Sequence, residues 1–294
     1  MLDAIIVGGS YAGMSAALQL ARARRSVTIL DDGQRRNRFA SAAHGLLGQD
    51  GRSPGDIAKD ARTQLLRYPT VSWHDARAVH AERTEDGFSV QTSDGQMIAG
   101  RRLVLATGVV DGLPSVPGLV ERWGRSVFHC PYCHGYELDE GPLGVLAVGD
   151  ISFHQAQLIP EWGPTTFFTN GVIALNDDQA RELSARGVTI ERELVREVSG
   201  ERASVELVDG RVIDLAGLFV ASRVSPASPL ATQLECEMME SPMGTSIQTH
   251  GVMETSVAGV FACGDVARPV GNLALAIADG NMAGAAVHRS LIFD

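Results

Sequence analysis

The chain has 294 residues, of which 45% are hydrophobic and 20% charged, and its net charge is −10. At about 100–200 residues per domain the length fits two domains, and the composition excludes a disordered chain. An acidic surface disfavours nucleic acid and anionic membrane as partners, because both need neutralising Lys and Arg, and no apolar run approaches the roughly 20 residues of a membrane span.

Residues 4–7 are an apolar run that enters the glycine turn Gly8-Gly9-Ser10-Tyr11-Ala12-Gly13. Met14, Ala17, Leu18 and Ala21 then recur at helical spacing, and residues 27–30 (VTIL) read as a strand closing on Asp31 and Asp32. Strand, glycine turn, helix, strand and acid in that order open a dinucleotide-binding unit. The glycines allow close backbone approach, and the helix N-terminus directs N–H groups at a pyrophosphate. The pattern is Gly8-x-Ser10-x-x-Gly13, with a small, hydrogen-bonding Ser in the middle slot. Asp31 lies near the ~20-residue offset at which an acid accepts from a ribose hydroxyl. A plain strand–helix turn is the competing reading, and it leaves the acid in register unexplained.

A loop rich in Arg, His and Gly covers 35–53, and Ser53-Pro54-Gly55-Asp56 reads as the entry to a helix running toward Leu66. Residues 72–99 read as short strands with turns at 85–87 and 93–95, and 103–106 as a buried strand ending in Thr107-Gly108. The segment 111–117, with two prolines and a glycine, is a predicted linker. A second strand, 143–148, meets Gly149 and a helical pattern runs on to Leu158. The middle region closes near 218–221. Residues 260–265 (VFACGD) return to a buried strand, and a last helix carries Ala274, Ala278, Ala283 and Ala286. An α/β fold with the middle region inserted between the first and last segments follows, and 32 glycines with few aromatics suit its many tight turns.

Four cysteines do not make a disulfide scaffold in a chain of this length. Cys236 and Cys263 are lone, whereas His129-Cys130-Pro131-Tyr132-Cys133-His134 holds two thiols at the spacing of a redox pair. One thiol of such a pair becomes nucleophilic when an imidazolium or helix end lowers its pKa. Zinc binding and inert cysteines are the alternatives. A structural zinc site needs a second ligand pair, so no metal is predicted. His134 is the first candidate general acid/base, since imidazole exchanges protons near neutral pH. His129 and Glu137 are further candidates, and His44, in the glycine-rich loop, either approaches a bound cofactor or serves a plain turn. Gly264-Asp265 follows a strand and precedes a helix, so Asp265 either caps that helix or binds the polyol part of a cofactor.

In that order these segments resemble the low-molecular-weight thioredoxin reductase family of flavoproteins. The match rests on the Gly8–Gly13 turn, Ala106-Thr107-Gly108, the Cys130/Cys133 pair and the run from Gly259 to Asp265, and it covers essentially the whole chain. The resemblance implies two Rossmann-like three-layer domains, the second inserted into the first. The boundaries would be 1–112 and 248–294 for the FAD-binding domain, and 113–247 for an NADPH-domain-like region carrying the dithiol. It also implies bound FAD and a homodimer. Gly8, Ser10, Gly13 and Asp31 would serve the adenosine and pyrophosphate side, Thr107 and Gly108 the same cleft, and Gly264 and Asp265 the ribitol. Asn272 stands where the family has Gln beside the flavin.

Three departures narrow the match. The second glycine fingerprint is reduced to Gly149, followed by Asp150 and Ile151. The basic cluster that grips the NADPH 2′-phosphate is replaced by Phe167-Phe168-Thr169-Asn170-Gly171. The acid after the second cysteine is replaced by His134. The run from Cys130 to Glu137 (CPYCHGYE) is instead similar to the dithiol oxidases of the holomycin and gliotoxin pathways. The implied chemistry is attack of a substrate thiolate on the Cys130–Cys133 disulfide at Cys130, with Cys133 passing electrons to the flavin and oxygen as the acceptor. The substrate expected is a small-molecule dithiol or a thioredoxin-like protein, and the start of the chain reads as a strand without a basic leader, so cytoplasm is expected. A thioredoxin reductase using NADPH weakly, a ferredoxin or a second reduced flavin is the alternative. A flavin-binding redox sensor without turnover is the alternative of another class.

Overall fold

The computed structural model describes residues 1–268 and 270–293. Pro269 and Asp294, both inside the predicted C-terminal segment, lie outside the described residues. The chain forms two compact units, one of residues 1–38, 52–110 and those from 224 onward, the other of residues 39–51 and 111–223.

The first unit opens with β1 (Leu2–Val7), α1 (Tyr11–Arg22), β2 (Val27–Leu30), α2 (Pro54–Leu65), β3 (Val71–His74), β4 (Ala78–Thr84), β5 (Gly87–Thr92), β6 (Met97–Leu105) and β7 (Val109–Gly112). The second unit follows with α3 (Leu119–Arg122), β8 (Val127–Phe128), α4 (Pro131–His134), β9 (Leu143–Leu146), α5 (Ile151–Leu158), β10 (Thr165–Phe168), α6 (Asp177–Ala185), β11 (Thr189–Glu191), β12 (Val195–Ser199), β13 (Ser204–Leu207), β14 (Val212–Ile213) and β15 (Gly217–Val220). The first unit resumes with β16 (Arg223–Pro226), α7 (Leu230–Gln233), β17 (Met238–Ser241), β18 (Gly244–Ile247), β19 (Thr249–His250), β20 (Glu254–Thr255), β21 (Val260–Ala262) and α8 (Leu273–Phe293).

The main sheet of the first unit runs β19-β20-β21-β6-β1-β2-β3. Its centre is parallel, with Val7 beside Leu30 on one side and Leu105 on the other. Ile5, Ile6, Val27, Leu103 and Val104 are wholly buried, which explains why β1, β2 and the end of β6 read as unbroken apolar runs. Because β1 lies between β2 and β6, the chain reverses its lateral direction at β1, and ligands of such sheets sit beyond the carboxyl ends of the strands at that switch. Helix α8 packs on α1 at very short range: a Cβ on Gly280 would overlap the Ala12 carbonyl, and one on Gly284 the Ala16 carbonyl.

The second unit is built on a five-stranded parallel sheet, β11-β10-β9-β15-β8, and an antiparallel meander, β12-β13-β14. Val145, Ala156, Phe167, Leu183 and Phe219 fill one side of the sheet. Leu146, Phe168, Val205, Leu207 and Leu218 fill the other.

The packing shifts the predicted boundaries of 112/113 and 247/248. Residues 224–247 belong to the first unit, because Leu230, Ala231, Leu234, Cys236 and Ile247 join the core of Ile5, Leu103 and Val260. Residues 39–51, predicted as a loop of the first unit, pack with the second, where the Arg125 guanidinium sits over the Phe39 ring. The predicted linker 111–117 begins as strand, since β7 runs through Asp111 to Gly112 and neighbours β16 in a small four-stranded sheet. No helix among the described residues is long and apolar enough to cross a membrane.

Candidate active site and cofactor site

The predicted cofactor residues all fall in the first unit. Gly8 has φ +104°, and a Cβ there would overlap the Ala106 carbonyl, so the turn is open only to glycine. A Cβ on Gly13 would overlap the Gly8 carbonyl, which holds the start of α1 against the end of β1. Ser10 is the N-cap residue of α1, yet its hydroxyl makes no cap hydrogen bond and the first turn holds no acid. The leading N–H groups of α1 therefore have neither a cap from Ser10 nor a first-turn acid. At the end of β2, the Asp31 carboxylate accepts from the Gly9 N–H at 2.9 Å. Burial pushes Asp31 up from the usual carboxylate range, and the Gly9 N–H opposes that shift.

The last segment reaches the same turn. Gly264 has φ +74°, and a Cβ on it would meet the Ala12 Cβ at 2.8 Å, so the Gly264–Ala267 3-10 turn lies against the start of α1. Asp265 in that turn accepts from Arg36 Nη1 at 3.0 Å. Gly108 (φ +67°) follows Thr107 at the end of β6, and its carbonyl accepts from the Ala227 N–H at 3.1 Å. Asn272 Oδ1 accepts from the Leu275 N–H at 2.8 Å and so caps α8.

These residues fit FAD on the structure's own terms. The uncapped α1 N-terminus and the glycine-only approach at Gly8 suit a pyrophosphate. Asp31 and Asp265 would supply acceptors for the sugar and polyol hydroxyls. Two buried polar atoms of the same unit, Arg35 Nε and Asn37 Oδ1, have no hydrogen-bond partner among the described residues, as expected of groups that await a polar ligand. Arg35, Arg36 and Asn37 escaped the sequence reading because they sit in an irregular loop with no periodicity or motif. Only the spatial return of that loop to Tyr11 and Asp265 identifies them; the Asn37 amide donates to the Tyr11 hydroxyl at 3.3 Å.

The dithiol and its candidate proton carriers fall in the second unit. Cys130 is the N-cap residue of α4, Pro131 starts that single turn with its preset φ, and the turn brings the two Sγ atoms to 3.0 Å. That is outside the ~2.05 Å of a disulfide but close enough to close one with little motion. Both thiols are partly accessible. His134 ends the turn, and Glu137 and His44 are near enough to act on its charge. Burial holds the His134 imidazole below its usual value. Glu137 pulls it back up and His44 adds to the depression. His44 reaches this site because residues 39–51 pack with the second unit, and its ring lies between Asp50 (3.6 Å) and Glu137 (3.4 Å).

His129, directly before Cys130 in the chain, has its Nδ1 at 3.3 Å from Ser222 Oγ, and Ser222 donates to Asp111 Oδ1 at 2.8 Å. Asp111 and Ser222 carried no sequence signal, being distant in the chain and outside any motif. Cys236 and Cys263 are buried. Cys263 is pushed up to about 12, first by burial and then by the Asp279 charge, which keeps it unreactive.

Comparison with known proteins agrees with this geometry. Residues 2–280 match the pyridine nucleotide-disulphide oxidoreductase family. Thioredoxin reductase tcpT of Claviceps purpurea is 32% identical, over 100% of this chain and 95% of its own. Among solved structures, an oxidoreductase from Agrobacterium tumefaciens is 52% identical with a TM-score of 0.97, covering 99% of each chain. The crystal structure of HlmI is 34% identical with a TM-score of 0.92, covering 99% of this chain and 92% of that one. The chain belongs to the pyridine nucleotide-disulphide oxidoreductase family, as a thioredoxin reductase-like FAD flavoenzyme.

Proposed function

We propose that this flavoenzyme oxidises a small-molecule dithiol to a disulfide, with oxygen as the final acceptor and without NADPH. A substrate thiolate attacks the Cys130–Cys133 disulfide at Cys130, forming a mixed disulfide and releasing the Cys133 thiolate. The second substrate thiolate attacks its own sulfur in that bond, closes the substrate disulfide and releases Cys130. Two electrons and two protons have then passed from substrate to enzyme. FAD, when bound, supplies the two-electron relay between this dithiol and oxygen. His134, half-buried, stacked on Phe128 and depressed below its usual value, takes up and returns thiol protons. Tyr132, between the two cysteines, and Tyr136, three residues after the second, are 70% and 88% exposed, apolar ground suited to an organic dithiol. A homodimer completes the proposal, from the resemblance.

The observation that carries the absence of NADPH is the turn after β10. Asn170 Oδ1 accepts from the Val195 N–H at 2.9 Å, and Thr169 Oγ1 donates to the Glu191 carbonyl at 3.3 Å. Both side chains serve the fold where a 2′-phosphate needs donors, and the run 165–176 contains no Lys or Arg. At the other turn, the Ser152 hydroxyl accepts from the Val148 N–H at 2.9 Å, and Asp150 places a carboxylate where a pyrophosphate needs N–H groups.

Anaerobic mixing tests the proposal. A small dithiol should bleach the flavin, and admitted oxygen should restore the colour and release peroxide, while NADPH and NADH leave the flavin oxidised. Rapid reduction by micromolar NADPH would make ordinary thioredoxin reductase the function. A flavin that responds only to a reduced protein donor would select the ferredoxin-type alternative, and one that no donor reduces would select the sensor.

A further inference from the structure

The strand ends of the first unit stand in a fixed lateral order. From β21 through β6, β1 and β2 to β3, neighbouring strands lie about 4.8 Å apart. Asp265 follows β21, the glycine turn follows β1 and Asp31 follows β2. With a pyrophosphate at the turn and a sugar on Asp31, the flavin end lies toward Asp265 and only the adenosine lies toward β3. Trp73 stands there. It pairs with Ile29 one residue before the end of each strand, and the Asp31 N–H donates to the next carbonyl, that of His74, at 3.1 Å. The indole reaches past Asp31 to the turn itself. A Cβ on Gly9 would lie 2.4 Å from Trp73 Cη2 and 2.7 Å from the Asp31 Cβ, and the Gly9 N–H donates to Asp31 Oδ1. The benzo edge of the indole, the carboxylate and the turn therefore meet at one place.

The ring is also fixed from its other sides. Its Nε1 donates to Asp75 Oδ1 at 2.9 Å, and the Arg62 guanidinium carbon lies 4.2 Å from the ring centroid. Arg62 Nη2 in turn donates to Asp75 Oδ2 at 3.1 Å. Held in this way, the indole is half-buried, whereas its strand neighbour Ile29 is wholly buried. We infer that Trp73 is a cofactor-binding residue whose indole forms the apolar wall against which the adenosine of FAD packs; this rests on Asp31 as the sugar acceptor. A purine offers a flat π system with little charge, which an indole recognises by stacking or edge contact and a carboxylate does not.

The chain has three tryptophans, and Trp123 and Trp162 both belong to the second unit. In a Trp123→Phe/Trp162→Phe chain the remaining emission reports on Trp73 alone. ADP does not absorb where tryptophan emits, so it alters that emission only from close range. The full-length protein, stripped of FAD and shown to take FAD back, should change its Trp73 emission on saturation with ADP. In the otherwise wild-type chain, Trp73→Leu should weaken ADP about tenfold or more by calorimetry and speed FAD release from the holoenzyme to a similar extent. Trp73→Phe should stay within about threefold of wild type, because it keeps an aromatic face. Inorganic pyrophosphate, displacing ADP, should bind wild type and Trp73→Leu within about twofold, since it lacks the adenosine. Unchanged emission at saturating ADP, wild-type ADP and FAD binding in Trp73→Leu, or an apoprotein that takes FAD but no ADP would overturn the inference. Equal weakening of ADP and pyrophosphate would overturn it too, leaving Trp73 a support of the turn. Undiminished FAD binding in Asp31→Ala would instead remove Asp31 as the sugar acceptor, with the Trp73 readouts unaffected.

Discussion

The imidazole of His134 lies nearly flat on the ring of Phe128, with centroids 4.3 Å apart and planes inclined by 24°. Phe128 belongs to the core of the second unit and packs in turn on Phe219 at 6.0 Å. The stack therefore ties the candidate proton carrier to the central sheet and removes one face of its ring from water. Burial depresses the imidazole more than the neighbouring Glu137 raises it.

The pH dependence follows from that sign. A His whose folded value lies below its unfolded ~6.5 binds fewer protons in the native state between the two values. Its contribution to stability is intact above about pH 6.5 and is lost as pH falls through the depressed folded value. Dithiol-driven flavin reduction should keep its rate to a pH below the usual imidazole range before it declines. Phe128→Leu should move that decline upward, and His134→Gln should lower the rate about 10²-fold. Stopped-flow pH profiles of the three proteins measure both effects.

The two sulfur atoms at 3.0 Å act as one group. Cys130→Ser and Cys133→Ser should each abolish turnover, because neither single thiol can close the internal disulfide. Cys236→Ser and Cys263→Ser should retain it. Steady-state peroxide release with a dithiol substrate compares the four variants, and full activity in Cys130→Ser or Cys133→Ser would rule out the exchange mechanism.

The Arg36–Asp265 pair holds the loop after β2 against the Gly264–Ala267 turn. Asp265→Ala removes that contact and the acceptor assigned to the cofactor. The loss of one charge-assisted hydrogen bond, about 1.5–3 kcal/mol, corresponds to roughly 10- to 150-fold weaker FAD binding. Titration of the apoprotein with FAD gives the ratio. Arg36→Ala, which leaves the carboxylate in place, should weaken binding less.

Arg268 donates to both oxygens of Asp279, at 2.6 and 2.5 Å, and Asp279 is only 2% exposed. Arg268→Ala leaves a buried carboxylate without its cation, and the expected loss is about 3 kcal/mol. Urea denaturation of the holoprotein at fixed FAD concentration should show the midpoint fall without a change in slope.

The α1–α8 contact leaves no room for added volume. Gly280→Val and Gly284→Leu drive a side chain into the Ala12 and Ala16 carbonyls, and each should cost about 1–3 kcal/mol or more. Because α1 also carries the glycine turn, Gly280→Val should lower FAD retention along with Tm. A fluorescence melt with and without added FAD distinguishes the two effects.

What the sequence determined by itself was local. An apolar run ending in Gly8-x-Ser10-x-x-Gly13 has one economical fold, since only glycine tolerates φ +104° against a carbonyl. Two thiols separated by Pro131 and Tyr132 meet because the proline starts a single helical turn. The acids after β2 and β21 were readable for the same reason, each standing next to a strand end. Asn272 was readable as a position, and the structure adds that its Oδ1 caps α8. Tertiary structure alone decided which distant groups serve those motifs. Residues 39–51 join the second unit through the packing of Phe39 and bring His44 to Glu137. Residues 224–247 join the first unit through apolar contacts that composition does not assign to either side. Asp111, Ser222 and His129 lie up to 111 residues apart in sequence and meet through hydrogen bonds of Ser222, because β7 and β16 bring the strand ends together. Hydrogen bonds of this kind are short-ranged and directional, and nothing in residue type or spacing records them until the backbone has closed.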